Sequence, residues 1–285
     1  MKALVTGATG NVGSHVVREL RSRGAHVRAL VRNHAAAAAR LGSNIELVTG
    51  DFAQPATLTQ ALDGVDAAFI LTPNSPRQFE DERNVIHAVA AAGVRRVVKF
   101  SSIGAEPGAP LEFWDVQGRL QAHVRETIPS TTIVRSNFHM SALLAAAEPV
   151  KGAGQLFAPA GGAEIAMIDP RDVAEAAAVL LMTGTHDGEV LTFSGPQAIT
   201  YDHIADILTR VVGKPVAFIP VPDDAARGAM VGAGLPEWLA GNLVTLFRLL
   251  RGGAGAEVTD TFQRVVGRAP RTFAEWATDH ASAFR

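Results

Sequence analysis

The sequence predicts an α/β fold in which a doubly wound parallel sheet precedes a smaller, mostly helical C-terminal lobe. Three observations favour this fold. Short β-branched runs alternate with alanine-rich amphipathic segments over the first half of the chain, as in repeated βαβ units. The first run leads directly into a glycine-rich turn and a helical segment. Beyond about residue 136 this alternation stops, and helical segments separated by glycine-rich stretches follow.

The first half contains six predicted strands, each short and almost entirely apolar. This is expected of parallel strands that helices cover on both faces. The strands are 3–6, 26–31, 45–50, 67–71, 96–100 and 131–135. The helical segments between them are 11–23, 55–62, 78–92 and 115–126, and the alanine run 35–39 indicates a helix or a surface loop. Right-handed crossovers place the carboxyl ends of these strands at one edge of the sheet, where ligands bind.

The second half predicts a smaller lobe that covers this edge. Residues 151–163 are rich in glycine and resemble a loop. Asp169 is a candidate N-cap, with Pro170 at the first helical position, for a helix over 169–183 that we expect to pack back onto the sheet. A further strand is predicted at 189–195, Thr200 is the candidate cap of the next helix, and the remaining segments are amphipathic helices.

Composition excludes several classes of function. The 285 residues carry a net charge of −2, which gives no electrostatic reason to expect binding to nucleic acid or to an anionic membrane. The chain has no cysteine, so disulfides, thiol nucleophiles and thiolate metal sites are absent. No segment approaches the ~20 apolar residues of a membrane helix, and no signal peptide is visible. We expect a soluble cytoplasmic protein, monomeric or homodimeric, without a metal site.

The glycine-rich turn has the sequence GATGNVG, and it lies between a predicted strand and a predicted helix. This context is the one in which spaced glycines predict a dinucleotide site of the Rossmann type. Gly7 allows the tight turn, Gly10 allows backbone to approach a pyrophosphate, and Gly13 allows the helix to pack on the strand. The helix N-terminus supplies N–H donors for the phosphates. The candidate cofactor-binding residues here are Gly7, Thr9, Gly10, Asn11, Val12 and Gly13.

The second strand indicates which dinucleotide is bound. NAD sites carry an acidic residue at the end of this strand, but here the strand ends in ALVRNH, with Arg32 and no carboxylate. A guanidinium suits a ribose 2′-phosphate, which favours NADPH and leaves NADH use open. Asp51 and Phe52, after the third strand, are expected to meet the adenine. The other candidate cofactor-binding residues lie at later strand ends and are Leu71, Thr72 and Ser101.

Several stretches together resemble a known family. They are VTGATGNVGSHVVREL, ALVRN, VTGDFAQPATLTQALDGVDAAFIL, VIHAVAAAGVRRVVKFSSIGA, TTIVRSNFHM and DPRDVAEAAAVLL. They look like the NmrA-like branch of atypical short-chain dehydrogenases/reductases, and are similar to its type 2 quinone oxidoreductase and triphenylmethane reductase group. The resemblance implies an NAD(P)-binding Rossmann domain over 1–150 and a substrate-binding lobe over 151–285. It also implies NAD(P)(H) binding, usually with a preference for NADPH, in proteins that include quinone and dye reductases as well as redox-sensing regulators.

The Tyr-x-x-x-Lys pair of ordinary short-chain dehydrogenases is missing from the sequence. The chain has a single tyrosine, Tyr201, and the residue four positions later is Ala205. The resembling family often has His or Lys, followed four residues later by Glu, on the helix after the fifth strand. The matching stretch DVQGRLQAHV instead carries Gln117 and Gln121, and an amide is neither an acid nor a base near neutral pH. Gln117 remains a candidate for orienting the nicotinamide ribose or a substrate oxygen.

The remaining candidates lie near the ends of strands five and six. Ser102 follows strand five together with Ser101, and its hydroxyl is a candidate catalytic group. His139 follows strand six, and its imidazole titrates near pH 7, which makes it a candidate proton donor. The candidate catalytic residues are thus His139, Gln117 and Ser102. The candidate substrate contacts, where aromatic rings would stack on a flat ligand, are Trp114, Asp115, Phe138 and His139.

These residues leave three hypotheses for function. The first is an NADPH-dependent oxidoreductase that transfers hydride to a quinone or a related polycyclic aromatic, because a conjugated acceptor stabilises the product anion without a dedicated protein acid. The second is an oxygenase on the same substrate class, using NAD(P)H and O₂ without flavin or metal. The third is a non-enzymatic regulator that senses NADP(H).

Overall fold

The computed structural model describes residues 1–42 and 45–285, and its centre is a parallel sheet of seven strands. The strands in chain order are β1 (Lys2–Val5), β2 (His26–Val31), β3 (Glu46–Thr49), β4 (Ala67–Ile70), β5 (Arg96–Ser102), β6 (Thr132–Ser136), β7 (Gln155–Ala158), β8 (Val190–Phe193) and β9 (Ala217–Pro220). The sheet has the order β3-β2-β1-β4-β5-β6-β8, and β7 and β9 form a separate parallel pair. The order reverses at β1, which places a ligand-binding crevice between β1 and β4.

Helices cover both faces of the sheet and form a second lobe. In chain order they are α1 (Asn11–Ser22), α2 (His34–Leu41), α3 (Pro55–Ala61), α4 (Gln78–Ala91), α5 (Glu112–Thr127), a 3₁₀ helix (Met140–Ala146), α6 (Ala147–Ala153), α7 (Pro170–Thr183), α8 (Tyr201–Val212), α9 (Asp223–Gly232), α10 (Glu237–Arg251), α11 (Thr261–Val266), α12 (Phe273–Asp279) and α13 (Ala281–Phe284). No helix in the described ranges is long and apolar enough to cross a membrane.

Alternate residues of each strand supply the two cores that flank the sheet. Val98 of β5 packs with α1 and α7, whereas its neighbour Val97 packs with α3, α4 and α5. Burial on both faces explains why these strands are almost continuously apolar. The predicted α/β fold class, with its doubly wound Rossmann sheet, is confirmed.

The second lobe has a core of its own. The 3₁₀ helix, the β7–β9 pair and helices α6, α8, α10, α12 and α13 contribute to it. Trp276 is fully buried there and stacks between Phe273, at 5.5 Å between ring centroids, and His280, at 4.5 Å. This lobe lies beyond the carboxyl ends of β5 and β6, and it closes one side of the crevice.

Part of the chain after residue 150 returns to the sheet. The helix predicted at 169–183 is α7, which packs against α1, and β8 adds to the sheet beside β6. Phe262 of α11 also packs on this face, 6.5 Å from Phe193. The division of the chain into domains 1–150 and 151–285 stays a prediction.

Two local predictions differ from the structure. Ser101 and Ser102 are the last two residues of β5, where they pair with Arg135 and Ser136 of β6, and they do not follow the strand. α5 begins at Glu112, so Trp114 and Asp115 lie in its first turn and do not precede it. The alanine run, predicted as a helix or a surface loop, is helical and forms part of α2.

Candidate active site

The GATGNVG loop connects β1 to α1 in a conformation that only small residues allow. Gly7 has a φ of 61°, and a Cβ added there would lie 2.8 Å from the Leu71 carbonyl oxygen. A Cβ on Gly13 would lie 2.1 Å from the Gly7 carbonyl oxygen. Gly10 is the N-cap of α1, and no described side chain caps the helix, so its first N–H groups face the crevice. This cradle fits a pyrophosphate.

Asn11 joins this loop to the second lobe. Its Nδ2 donates to Ser141 Oγ of the 3₁₀ helix at 2.6 Å. Thr6 fixes the other side of the loop, because its hydroxyl bonds both the N–H and the C=O of Leu71. Val12 is buried beneath the loop in the sheet core. The predicted contacts of Leu71, Asn11 and Val12 with a cofactor stay predictions.

A cavity of about 590 Å³ lies beside the loop at the end of β2, and we call it the arginine cavity. Thr9, Arg32 and Arg40 line it. Asn33 caps α2 by accepting from the Ala36 N–H at 3.1 Å, so α2 brings Arg40 close to Arg32. Two guanidinium groups beside a phosphate cradle fit a 2′-phosphate.

Asp51, Phe52 and Thr72 are engaged by other parts of the protein. Asp51 accepts from the Ala53 N–H at 3.0 Å and so shapes the turn before α3. Phe52 packs against the core beneath α3 and α4. The Thr72 hydroxyl is buried and donates inward, to Glu82 Oε2 at 2.5 Å. Their assignment to the cofactor stays a prediction.

A second cavity, of about 270 Å³, lies at the carboxyl ends of β5 and β6, and we call it the central cavity. Its apolar walls come from both lobes, and the polar groups are amides, hydroxyls and one imidazole. The lining residues are Asn74, Phe100, Ser101, Ser102, Ile103, Leu111, Phe113, Trp114, Gln117, Ser136, Asn137, Phe138, His139, Ala142, Leu246 and Leu250. The structure therefore brings together Ser101, Ser102, Gln117, Trp114, Phe138 and His139.

Gln117 is held from behind by a buried ion pair. Lys99 Nζ lies 2.5 Å from Gln117 Oε1 and 2.9 Å from Glu82 Oε1. The side chains of Lys99 and Glu82 are both 0% exposed. Burial lowers the pKa of Lys99, and the Glu82 carboxylate opposes this shift. The charged pair thus forms a fixed support under one wall of the central cavity.

Gln121, the second glutamine, does not line the central cavity. Its Nε2 donates to Ser101 Oγ at 2.6 Å, and its Oε1 accepts from Arg135 Nη2 at 2.7 Å. Arg135 in turn donates to the Ala105 carbonyl oxygen and to Glu106. Gln121 therefore connects Ser101, at the end of β5, to the guanidinium of Arg135.

His139 lies at the start of the 3₁₀ helix, directly after β6. Its Nε2 is 2.9 Å from Ser136 Oγ, and its ring centroid is 6.0 Å from that of Phe100. Burial lowers the pKa of His139 to about 4, although the charge of Asp169 opposes the shift. The imidazole is thus neutral at pH 7, so it is a hydrogen-bonding group and not a cationic acid. Its contact with substrate stays a prediction.

Of the four predicted substrate residues, Trp114, Phe138 and His139 line the central cavity and Asp115 does not. The Trp114 ring lies on Gly104, where an added Cβ would be 2.4 Å from ring atom Cε3. Phe138 lines the opposite wall and contacts Phe247 of α10, 6.0 Å away between ring centroids. Asp115 does not line the cavity, and its carboxylate accepts from the Gly108 N–H at 2.7 Å; its assignment to substrate stays a prediction.

Comparison with known proteins identifies the family. The model of the NmrA-like family matches residues 1–277. This chain belongs to the NmrA-like family. An NAD(P)H azoreductase of Xenophilus azovorans is 36% identical to this NmrA-like protein over 281 residues, which cover 99% of this chain and 98% of the azoreductase. The family resemblance read from the sequence is confirmed.

Two further NmrA-like proteins match over the whole chain. A (4-alkanoyl-5-oxo-2,5-dihydrofuran-3-yl)methyl phosphate reductase of Streptomyces griseus is 41% identical over 283 residues, covering 99% of this chain and 98% of that enzyme. The crystal structure of an NADPH-dependent quinone oxidoreductase from Escherichia coli, complexed with NADPH, matches with a TM-score of 0.88. That match is 29% identical and covers 98% of this chain and 99% of the other.

Sequence reasoning missed three residues of the site in this NmrA-like protein. Arg40 follows the alanine run, and only the helical form of that run carries it to Arg32. Lys99 had one visible signal, a lysine inside the apolar strand RVVKF. Glu82 had none, because its partners, Thr72 after β4 and Lys99 of β5, meet it only once α4 packs on the sheet.

Proposed function

We propose that this protein is an NADPH-dependent reductase that delivers hydride to a neutral, conjugated acceptor, either a quinone or an azo compound. The coarser prediction of an NAD(P)H-dependent oxidoreductase is confirmed, because reductases using this cofactor match the chain from end to end. The prediction of NADPH as the cofactor is confirmed by the same relatives. The nature of the acceptor is our inference.

The observation that carries the proposal is the position and lining of the central cavity. It lies at the carboxyl ends of β5 and β6, and the 3₁₀ helix in its wall is bonded to the glycine loop through Asn11 and Ser141. A dinucleotide with its pyrophosphate at the α1 N-terminus would extend toward Arg32 on one side and toward this cavity on the other. NADPH would supply the hydride, and the protein holds the acceptor.

The lining favours a neutral, flat acceptor. Among the described residues, no lysine, arginine or carboxylate lines the central cavity. The Streptomyces relative is a reductase of a phosphate ester, and a phosphate group would find no cation on these walls. Trp114 and Phe138 instead offer two aromatic surfaces for a conjugated ring. A quinone or an azo compound has both properties.

The reaction balances without a protein acid. A quinone and NADPH with one solvent proton give a hydroquinone and NADP⁺, since the quinone gains two electrons and one proton as hydride. The protein's contribution is to orient the acceptor and to exclude water. The neutral state of His139 at pH 7 agrees with this role.

Two alternatives use the same cavity differently. In an oxygenase, the reduced acceptor would react with O₂ before it leaves. In a sensor, the cavity would take no acceptor, and the cofactor alone would alter a protein partner. The aromatic walls of the central cavity favour an acceptor and therefore an enzyme.

The test is NADPH oxidation under anaerobic conditions with naphthoquinone, an azobenzene dye and the phosphate ester of a dihydrofuranone. We expect loss of NADPH absorbance that requires both protein and one of the two neutral acceptors. The same mixtures in air, with oxygen uptake and product mass recorded, separate a reductase from an oxygenase. Cofactor binding without turnover of any acceptor would refute the proposal and favour the sensor.

A further inference from the structure

We propose that Lys99 and Arg135 fix the amide oxygens of Gln117 and Gln121 away from the central cavity, so that Gln117 presents its amide N–H group, and Ser101 its hydroxyl proton, to the atom that becomes negative when hydride arrives. This inference rests on the proposed reductase function. It assigns Gln117 as a donor to the acceptor and Lys99 as a positioning residue.

The orientation of Gln117 follows from the chemistry of its neighbour. An ammonium group has three donors and no acceptor, so the amide atom 2.5 Å from Lys99 Nζ must be the oxygen. The NH₂ group then lies at the other end of the amide. Gln117 Nε2 has no hydrogen-bond partner among the described residues, and Gln117 lines the central cavity. Its two N–H bonds are therefore available to a ligand.

Lys99 cannot release this oxygen easily, because its surroundings hold it in place. Nζ also donates to the Phe100 carbonyl oxygen at 2.9 Å and pairs with Glu82 Oε1 at 2.9 Å. Glu82 Oε2 in turn accepts from the Thr72 hydroxyl. Nζ thus has three oxygen atoms within 2.9 Å, and the group is completely buried. A buried cation directly behind the amide also strengthens the amide N–H as a donor.

Arg135 has the same effect on Gln121. Its guanidinium, which only donates, bonds Gln121 Oε1 through Nη2 at 2.7 Å and Nε at 3.2 Å. Gln121 Nε2 must then donate to Ser101 Oγ, at 2.6 Å. Since Ser101 Oγ accepts this bond, its own proton is free to be donated, and Ser101 lines the central cavity.

The other polar groups of the central cavity support this polarity. Ser102 Oγ is buried and has no partner in the described part of the chain. Asn137 is occupied by backbone, because Nδ2 donates to the Gly255 carbonyl oxygen and Oδ1 accepts from the Phe138 N–H. His139 and Ser136 bond each other. The groups left that can donate to a ligand are thus the Gln117 amide and the hydroxyls of Ser101 and Ser102, and the exposed amide of Asn74 also lines the cavity.

This polarity suits the chemistry of hydride transfer to a neutral acceptor. Hydride brings two electrons and one proton, so a quinone becomes a hydroquinone monoanion and an azo compound becomes a hydrazide anion. Preorganised donors stabilise that charge as it forms, in the manner of an oxyanion hole. Solvent then supplies the second proton. Two glutamines can thus stand where an acid–base pair is missing.

The experiment measures how the rate depends on the acceptor's electron demand. A series of naphthoquinones with increasingly electron-withdrawing substituents is reduced by wild type and by Gln117→Leu. We expect kcat/KM of the variant to fall by about 10²-fold with the parent naphthoquinone, as for loss of one oxyanion donor. The fall should shrink as substituents become more withdrawing. A purely structural defect would lower every acceptor's rate by the same factor.

A paired variant tests the positioning role of Lys99. Removing one partner would leave a buried charge unpaired, so Lys99→Met is combined with Glu82→Gln. We expect kcat to fall about tenfold at an unchanged KM for NADPH, because the amide is still present but no longer fixed. Gln117→Glu keeps the shape of the side chain and removes its N–H donors. This variant is measured in place of the paired variant if the paired variant does not fold. The matched control is Gln263→Leu, which changes an exposed side chain of α11.

A binding measurement separates this inference from the proposed function. A nitrophenol, titrated spectroscopically in the protein–NADP⁺ complex, should have a lower pKa than in water, because donors stabilise its anion. Gln117→Leu should abolish this lowering, and Gln117→Glu should raise the nitrophenol pKa above the value in water.

If wild type reduces quinones while folded Gln117→Leu shows wild-type rates, substituent dependence and nitrophenol pKa, the inference is wrong and the proposed function stands. If wild type reduces no acceptor but shifts the nitrophenol pKa as described, the donor site stands and the proposed function fails.

Discussion

Gly13 lies where the first turn of α1 crosses the loop that leaves β1. A Cβ there would be 2.1 Å from the Gly7 carbonyl oxygen, and that atom belongs to backbone, which cannot rotate away. We expect Gly13→Ala to lower the free energy of unfolding by about 1–3 kcal/mol and to weaken NADPH binding at least tenfold, because the phosphate cradle must open. Urea denaturation measures the change in the free energy of unfolding, and fluorescence titration measures the change in NADPH binding. Gly152→Ala, in α6 with open space around it, should instead be neutral or stabilising by up to about 1 kcal/mol.

Arg32 should determine the preference for NADPH over NADH. The arginine cavity offers its guanidinium to the group that distinguishes the two cofactors. We expect Arg32→Ala to raise the Kd of NADPH by about 10- to 100-fold, as for loss of charge-assisted hydrogen bonds, and to leave the Kd of NADH nearly unchanged. If the substitution weakened the binding of NADPH and NADH equally, Arg32 would not determine the preference between them. Arg95→Ala, whose side chain is 84% exposed at the opposite edge of the sheet, is the control.

His139 should make the protein less stable in acid and should not shape the activity near pH 7. Its pKa is lowered to about 4 by burial, whereas the unfolded chain has the usual value near 6.5. Between these values the unfolded state binds more protons, so stability from this group is complete above pH 6.5 and is lost as the pH falls toward 4. Urea denaturation at pH 7 and pH 5 should show a larger loss for wild type than for His139→Asn. Equal losses in the two proteins would show that His139 is not the titrating group.

At the scale of elements, α10 covers the central cavity and is tied to the first turn of α5. Glu112 Oε2 accepts from Trp238 Nε1 at 2.7 Å and from Asn242 Nδ2 at 2.9 Å. Phe113 also contacts the Trp238 ring, 5.4 Å away between centroids. These contacts join two elements that lie far apart in sequence, and they position one wall of the cavity.

We expect Glu112→Ala to loosen α10 over the cavity. The KM for the acceptor should rise about three- to tenfold, since the wall loses two hydrogen bonds to a carboxylate, while the Kd of NADPH stays the same. Hydrogen exchange of the α10 amides should become faster. Glu126→Ala, at the exposed far end of α5, is the matched control. Unchanged exchange in α10 would mean that packing of Trp238 alone holds the helix.

The same elements show what the sequence could and could not predict. β1, the glycine loop and α1 were predictable because an apolar run and spaced glycines are local signals. The start of α5 was placed too late, since Phe113 and Trp114 form an apolar stretch whose partners on α10 are distant in sequence. Ser101 and Ser102 were placed after the strand, but pairing with β6 extends β5 through both.

At the scale of the whole molecule, the two lobes are joined by charged contacts around α7. Buried Asp172 accepts from the Arg271 backbone N–H and from Arg268 Nη2, each at 2.6 Å. Arg171 bridges its neighbour Asp169 and Asp279 of α12. These contacts hold the C-terminal segment against α7.

The fold class and the phosphate cradle were predictable from sequence, but the lining of the central cavity was only partly so. Gln117, Trp114 and Phe138 line this cavity because they follow strands five and six, and their contacts with a ligand stay predictions. The support behind Gln117 was not predictable, since Lys99 and Glu82 meet only when β5 and α4 pack together. Asp115 was predicted to contact substrate together with Trp114, and in the structure its carboxylate accepts from the Gly108 N–H.

The most direct test of the central claim is a single anaerobic turnover of the wild-type protein with naphthoquinone and NADPH carrying deuterium at the transferred C4 position. If this chain passes hydride to a neutral acceptor in the central cavity, NADPH oxidation will require the quinone and will be slowed by the deuterium. Hydroquinone will form in a ratio of one to each NADPH consumed. NADPH that binds but stays unoxidised in the presence of quinone and the azo dye would contradict the account.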